Sequence, residues 1–333
     1  MFNSRQDNRS ISFPAFTTSS FVFLILLFIA QPCTPFELLI GTGARDSFSY
    51  FAGRTICRSV EKYEKNVTCQ LAVAEEASDR LINLQNDSID LALVSSKTIY
   101  DAFNNLGLFQ YITFEFNDLR LLMPIYRAPV SLIVRRDARI SSLDDLAGKR
   151  VNSGAFNTLE NQIFKKLMTL KQWHKGDFTL YENLPHSFSQ DFLALKAGSV
   201  QAMLHVGMHP DTSLKQLLAD GRITLVGLDD LDVDQLIEDK AGFCSCQIAT
   251  GTYPDIKEDI KTLAMETLLI ASSSTDDDTV QRVLSALLES KQHLQYAHPS
   301  LLRQQIKVTT LNESYLHPHP SALLFFQAKR NLR

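Results

Sequence analysis

The chain has 333 residues, 45% of them hydrophobic and 21% charged, with a mean hydropathy of −0.06. That is enough apolar material for a large core and excludes disorder, collagen and coiled coil. A length above about 250–300 residues divides into more than one core. A net charge of −4 and a pI near 6.1 provide no field to collect nucleic acid or an anionic membrane. Glycine is scarce, with 13 residues, about 4% of the chain against a usual share near 7%, which disfavours glycine-rich phosphate loops.

The N-terminal stretch carries Arg5 and Arg9, and Phe21 to Ala30 is then uninterrupted apolar until Gln31-Pro32. Ten apolar residues are too few to span about 30 Å of hydrocarbon as a helix, but they fit the apolar region of a signal peptide. A buried core helix is the alternative, and a lipid anchor at Cys33 lacks a persuasive box. Residues 1–35 are therefore read as an export signal with an undefined cleavage point, which places the protein in the periplasm. Export changes how the five cysteines read, because the compartment is oxidising. Cys57 and Cys69 flank a short polar stretch, and a bridge there would contribute roughly 3 kcal/mol on the chain-entropy view. Cys244 and Cys246 have no second pair at a zinc-like spacing. Asn66-Val67-Thr68 and Asn312-Glu313-Ser314 match glycosylation sequons, with no other sign of a eukaryotic secretory route.

In chain order, Phe36 to Ile40 is a short strand before Gly41-Thr42-Gly43, and a helix runs from about Ser47 to Tyr63. Val67 to Ala74 alternates as a strand, Ala77 to Gln85 is helical, and Ile89 to Val94 is a buried strand before a helix through Tyr100 and Phe103. Leu119 to Tyr126 and Val130 to Arg135 read as two strands separated by Ala128-Pro129. Ser142 is placed to cap a one-turn helix ended by Gly148, with a strand after Lys149-Arg150 and a helix from about Thr158 to Leu170. Phe192 to Ala197 is a helix closed by Gly198, followed by strands over Val200 to Val206, Ile223 to Leu228 and Leu263 to Ile270, with helices over 276–298. This rhythm implies an α/β sheet with helices on both faces, and the absence of a long linker implies two interleaved lobes.

No catalytic set emerges. Gly41-Thr42-Gly43 is half a dinucleotide fingerprint, with Asp46 at the third glycine position. His205 and His209 are four apart in a strand context, and His317 and His319 lie in a turn-rich tail, so neither pair has helical metal-site spacing. Asp144-Asp145 and Asp276 to Asp278 read as first-turn dipole partners. No enzyme, cofactor or metal is expected. What recurs is a hydroxyl- or amide-bearing loop after a strand and before a helix: Thr42 to Ser47, Ser95-Ser96 and Asn157-Thr158. Each alone is an ordinary N-cap. Together, beyond strand C-termini, they are suited to holding a carboxylate or similar anion.

These residues resemble the extracytoplasmic solute-binding proteins of TRAP transporters, of the TAXI type, over nearly the whole chain after the signal. LLIGTGARDSFSYFAGRTICRSV is similar to the family's I-G-T-G-G-x-x-G-x-Y-Y-P-x-G start. DLALVSSKTIYDAFN is similar to D-x-G-x-x-Q-S-D-x-x-Y-x-A-Y-N, and the segment ending SSLDDLAGKRVNSG to the family's G-K-R-V region. MLHVGMHP, GTYPDIKED and YLHPHP follow as later landmarks. The resemblance implies an α/β, two-lobed type II periplasmic-binding-protein fold with two hinge-crossing segments. It places residues 36–128 plus 247–333 in lobe 1 and 129–246 in lobe 2. It further implies a monomer that closes around a small organic anion or amino-acid-like ligand and delivers it to TRAP membrane permease subunits. The Cys57–Cys69 pair also occurs in relatives. Carried over, the ligand shell is Thr42, Gly43, Ser47, Tyr50, Ser95, Ser96, Thr158, His209 and Tyr253, with the two tyrosines walling the ligand.

The departures fall in the same loops. Ala44, Arg45, Asp46 and Ser47 stand where the family is glycine-rich, Ser49 replaces a tyrosine, and Glu75 and Glu76 replace paired glycines. Lys97 takes the place of an acid, Ala128 that of a glutamate, and Asn157 and Leu159 replace glycines. Glu76, Lys97 and Asn157 thereby join the expected ligand set, and the ligand is expected to differ from a standard α-amino acid. Two other functions compete: a periplasmic sensor or orphan binding protein signalling through a membrane partner, and an enzyme on the same fold.

Overall fold

The alternating apolar residues of Phe36–Thr42 form β1, with Leu38 and Ile40 fully buried. In this computed structural model the described residues are 36–113, 115–156, 158–183, 188–238, 242–304 and 316–331. The expected export signal, Cys33, Asn157 and the second sequon lie outside them. Strand β1 pairs in parallel with β2 (Val67–Val73) and β3 (Leu91–Ser95). Helices α1 (Phe48–Tyr63), α2 (Ala77–Gln85) and α3 (Ser96–Phe103) connect or follow these strands. A disulfide joins Cys57 on α1 to Cys69 on β2, with Cα atoms 5.1 Å apart.

Where two strands were expected, Leu119–Arg135 is one 17-residue strand, β4. Pro129 does not interrupt it, because the strand changes partners there. Leu119 to Pro129 pairs with β10 (Ile260–Ser272), and Val130 to Arg135 pairs with β7 (Ala202–Val206) and β8 (Ile223–Val226). A proline at a handover between ladders forfeits little, since it has no N–H to donate.

The second half contains β5 (Arg150–Asn152), α4 (Leu159–Leu170), β6 (Leu180–Glu182), α5 (Phe188–Ala197), α6 (Thr212–Leu218) and α7 (Leu231–Glu238). Strand β9 (Cys244–Ile248) pairs antiparallel with the start of β10, and α8 (Asp277–Glu289), α9 (Lys291–Ala297) and α10 (Pro320–Asn331) complete the chain. The strand order is β2-β1-β3-β10-β4-β7-β5-β6, with β8 attached to β4 and β9 to β10. One core forms around Leu38, Ile40, Leu121 and Leu269. The second half has two, because side chains alternate along a strand: Leu132 and Val134 enter one, Ile133 the other. Ile248, Tyr253, Ile256 and Leu263 pack into these second-half cores.

The turn at Ser141 to Gly148 is built the opposite way from the expected cap. Ser142 caps nothing; the Asp145 carboxylate instead accepts from the backbone N–H and hydroxyl of both Ser141 and Ser142. Those hydrogen bonds, the Ser141 pair first, hold its carboxyl down at about 2. Gly148, at φ +74°, closes the turn as expected. No helix among the described residues is long and apolar enough to cross a membrane.

Candidate functional site

The β1–α1 loop forms one compact polar corner. Thr42 is buried at the end of β1, and Ser47 caps α1 by accepting from Tyr50 N at 3.2 Å. Ser49 Oγ accepts from Gly43 N at 3.0 Å and lies 3.0 Å from Ser47 Oγ. A β-carbon on Gly43 would stand 2.8 Å from Ser49 Oγ, 3.0 Å from Ser47 Oγ and 3.6 Å from Arg80 Nη1, so glycine is what lets these groups converge. Tyr50 is half-buried on the first turn of α1. Glu76 heads α2 but makes no capping bond and is exposed. Beside the loop, Phe48 packs edge-on against Tyr126 and against His298, whose Nε2 lies 3.3 Å from Pro210 O. Burial pushes the Tyr126 phenol up to about 12, so it stays neutral.

The α3 corner departs from expectation. Ser95 caps the helix by accepting from Thr98 N. Ser96 is buried, and its hydroxyl donates to Gly242 O at 2.7 Å while accepting from Glu266 N at 3.0 Å. It ties α3 to β10 and to the segment before β9, and its one proton is spent on Gly242 O. Lys97 is also buried, in an ion pair with Asp101 one turn along. The sequence comparison set a positive charge in place of an acid at Lys97, but Asp101 offsets that charge locally. Gly242 presses on the same helix: a β-carbon there would lie 2.4 Å from Lys97 Cα.

In the second half, Thr158 caps α4, accepting from Asn161 N and donating to Ala155 O. Next to it is a cavity of about 190 Å³ lined by Asn152, Gly154, Thr158, Glu160, Asp191 and His205, among others. Glu160 accepts from Val206 N at 3.1 Å, and burial raises its carboxyl above the ordinary range. Burial, with His209 adding to it, drives His205 down to about 3, so its ring is neutral. A larger cavity, about 750 Å³, lies on the β9 side and is bordered by Arg127, His209, Cys246 and Arg303. Cys244 and Cys246 are free thiols, and burial pushes Cys244 up to about 12.

His209, which borders the larger cavity, meets Tyr253, which the resemblance set as a wall of the ligand and which lies in the core. Tyr253 is wholly buried, and its hydroxyl accepts from Asp211 N at 2.9 Å and lies 2.6 Å from His209 Nδ1. With the phenolic proton given to Nδ1, the opposite Nε2–H donates to Ser131 Oγ at 2.9 Å, which assigns a neutral ring. Burial, then His298, brings His209 down to about 4, in agreement with that assignment. Tyr253 is thus a core residue: a large ring in the second-half core whose one polar atom is satisfied from two sides.

The structure also brings in side chains that loop spacing missed, above all Arg80, Tyr126 and Glu160. Arg80 was legible in principle. It shares with Leu81 and Leu84 the buried face of α2, and a charge on an apolar stripe signals a role beyond solubility. Among the described residues no three His, Cys, Asp or Glu side chains group to hold a metal.

The sequence profile of the NMT1-like family matches residues 40–329. Among solved structures, a TctC solute-binding protein from Polaromonas superposes with a TM-score of 0.58 at 12% identity, covering 91% of this chain and 99% of that chain. MatC from Rhodopseudomonas palustris, solved with bound malate, superposes at 0.53 and 12% identity, covering 90% and 97%. A protein from Xanthomonas citri bound to ATP superposes at 0.50 and 11% identity, covering 89% and 98%. At such identities the likeness is one of fold, the two-lobed α/β fold of solute-binding proteins. With its profile match running from β1 into α10, the chain belongs to the NMT1-like family.

Proposed function

We propose that this protein is an extracytoplasmic solute-binding receptor. It captures a small organic anion or amino-acid-like solute between two lobes and hands it to a membrane permease of the TRAP type, as a divergent TAXI-type member. The observation that carries this reading is the pair of long strands β4 and β10: β4 changes ladders at Pro129, and β10 sends Leu263 and Met265 into a second-half core and Leu268 to Ile270 into the first. Single contacts tie the capped first turns of α1, α3 and α4 to that region: Phe48 to Tyr126 on β4, Ser96 to Glu266 on β10 and Glu160 to Val206 on β7. Two halves connected by two strands can rock about them, and a solute held by both halves favours the closed form. In this reading the lobes exchange at about Pro129 on β4 and, instead of at residue 247, at about Ala264 on β10, because Ile248, Tyr253, Ile256 and Leu263 pack into the second-half cores; the export signal directs a monomer to the periplasm. MatC, of like fold, holds malate, which supports a carboxylate.

The test is a thermal-shift screen of the mature protein with dicarboxylates, amino acids and sugar acids, followed by calorimetry on any hit. A solute bound only by the folded state adds about 2.7 kcal/mol at a hundredfold excess over Kd, a rise of several degrees in Tm. One-to-one binding of a carboxylate is the expected result. No shift from any of the three classes would sink the receptor reading.

A further inference from the structure

We infer that the smaller cavity, beside the first turn of α4, is a subsite for an ammonium group of the solute, with the Glu160 carboxylate as its main acceptor. The inference rests on the receptor reading above and chooses between the two solute classes that reading allows. It selects amine-bearing, amino-acid-like compounds over plain organic anions.

The cavity is built within the second half, from the end of β5, the first turn of α4, α5 and β7. Its charged lining residues are Glu160 and Asp191, and among the described residues no lysine or arginine lines it. Burial, with His209 adding to it, keeps the His205 ring neutral, so the wall is net negative. Asn152 braces the same wall, donating to Asp191 Oδ1 at 3.0 Å and accepting from Gly154 N at 3.0 Å. Two of the chain's 13 glycines shape the space. A β-carbon on Gly154, at φ +87°, would stand 3.0 Å from Glu160 Cβ and 3.0 Å from Thr158 Oγ1, and one on Gly207 would overlap the His205 ring. At about 190 Å³ the cavity is smaller than the roughly 300–1,000 Å³ that encloses a whole drug-sized ligand, so it receives one end of a solute. The larger cavity carries Arg127 and Arg303 with Asp259, charges of both signs, and does not select a cation in this way.

Glu160 Oε1 accepts from Val206 N at 3.1 Å, and among the described residues no lysine or arginine pairs with the carboxylate. Burial raises its carboxyl even against the hydrogen bonds from its own N–H, Val206 N and Thr158. The fold alone therefore leaves this negative charge under-compensated, in a place where water compensates little. Its position in the first turn of α4 and its bond to β7 would also suit a dipole partner and a strut. A strut needs one acceptor, which a glutamine carbonyl provides without burying a charge. An ammonium group brings three N–H donors and the missing positive charge, and meets the carboxylate with charge-assisted hydrogen bonds. A solute carboxylate at the same wall would add like charge to Glu160 and Asp191.

The test is calorimetry on the mature protein with three pairs of probes that differ by one amino group: L-aspartate and succinate, L-glutamate and glutarate, 4-aminobutyrate and butyrate. Wild type should bind at least one amine-bearing probe about 10- to 100-fold more tightly than its twin, the span of a charge-assisted contact. Glu160→Gln should erase that preference by weakening the amine-bearing probe. Unliganded, the variant should melt no lower than wild type at pH 7, because its amide still accepts from Val206 N. A preference that survives in Glu160→Gln overturns the subsite, as does a lowered unliganded Tm with affinity intact, which would mark a strut. Wild type that binds every twin as tightly as its amine-bearing partner also overturns it, as does one that binds a sugar acid and none of the six; both results leave the receptor reading standing. Binding of neither the six nor a sugar acid overturns both. Should Glu160→Gln not fold, the wild-type protein still decides by nuclear magnetic resonance. The Glu160 carboxyl carbon signal must shift on adding the bound amine-bearing probe, and an unmoved signal refutes the inference.

Discussion

At the scale of single residues, the hydroxyl of Tyr253 shows how a polar atom becomes tolerable in a core. It receives the Asp211 N–H and faces His209 Nδ1, while the far side of the same imidazole is held by Ser131. Tyr253→Phe keeps the ring and its packing but leaves a backbone donor and a ring nitrogen without partners. The expected loss is about 1–3 kcal/mol in urea denaturation, since unmet buried groups cost more than the hydrogen bond they forgo. A variant as stable as wild type would show that the hydroxyl contributes nothing. From sequence, Tyr253 and His209 were grouped as ligand contacts because both occupy landmark positions. Neither their contact with each other nor their orientation was legible: an aromatic with one polar atom suits a wet wall and a satisfied core equally.

At the scale of elements, local rules carried far. Ser47, Ser95 and Thr158 each cap the helix they precede, as small hydroxyls before apolar periodicity should. Local rules failed where a tertiary partner intervened. Pro129 punctuates a sequence but not a strand that changes partners at that residue, and Asp145 rather than Ser142 organises its turn because four donors converge on it. The α1–β2 unit is also held covalently through Cys57 and Cys69. Replacing both by serine should lower stability by about 3 kcal/mol on the loop-entropy view, seen as a lower urea midpoint. An unchanged midpoint would mean that the unfolded chain is already constrained there.

At the scale of the whole molecule, burial has made His205, His209 and His298 acid-sensitive. His209, brought down to about 4 by burial and then by His298, is neutral in the fold, whereas an unfolded histidine titrates near 6.5. A depressed histidine contributes stability that is complete above about 6.5 and is lost as pH falls through its folded value. For His209 that amounts to about 3 kcal/mol, and His205, lower still at about 3, acts in the same direction. Glu160 opposes them, because its raised carboxyl contributes stability at low pH that fades as pH rises. His298 is lowered like the other two and Asp90 is raised like Glu160; with three histidines against two carboxyls, denaturation between pH 7 and pH 4.5 should show a net loss on acidification. His209→Gln should flatten that slope; an equal slope in the variant would place the acid sensitivity elsewhere.

The sequence by itself determined the elements, their alternation, the caps and the cysteines that could meet, because periodicity, hydroxyl caps and short loops act over a few residues. It also showed, through its missing glycines, which loops had changed. Only the tertiary structure decided what those loops can hold. It turned Ser96 inward to Gly242 and Glu266, matched Lys97 with Asp101, sank Tyr253 into the core and left Arg80 buried without a counter-charge. The reason is physical: whether a charge or hydroxyl is available to a solute depends on what else reaches it in space, and in this chain those partners lie as far as 170 residues away.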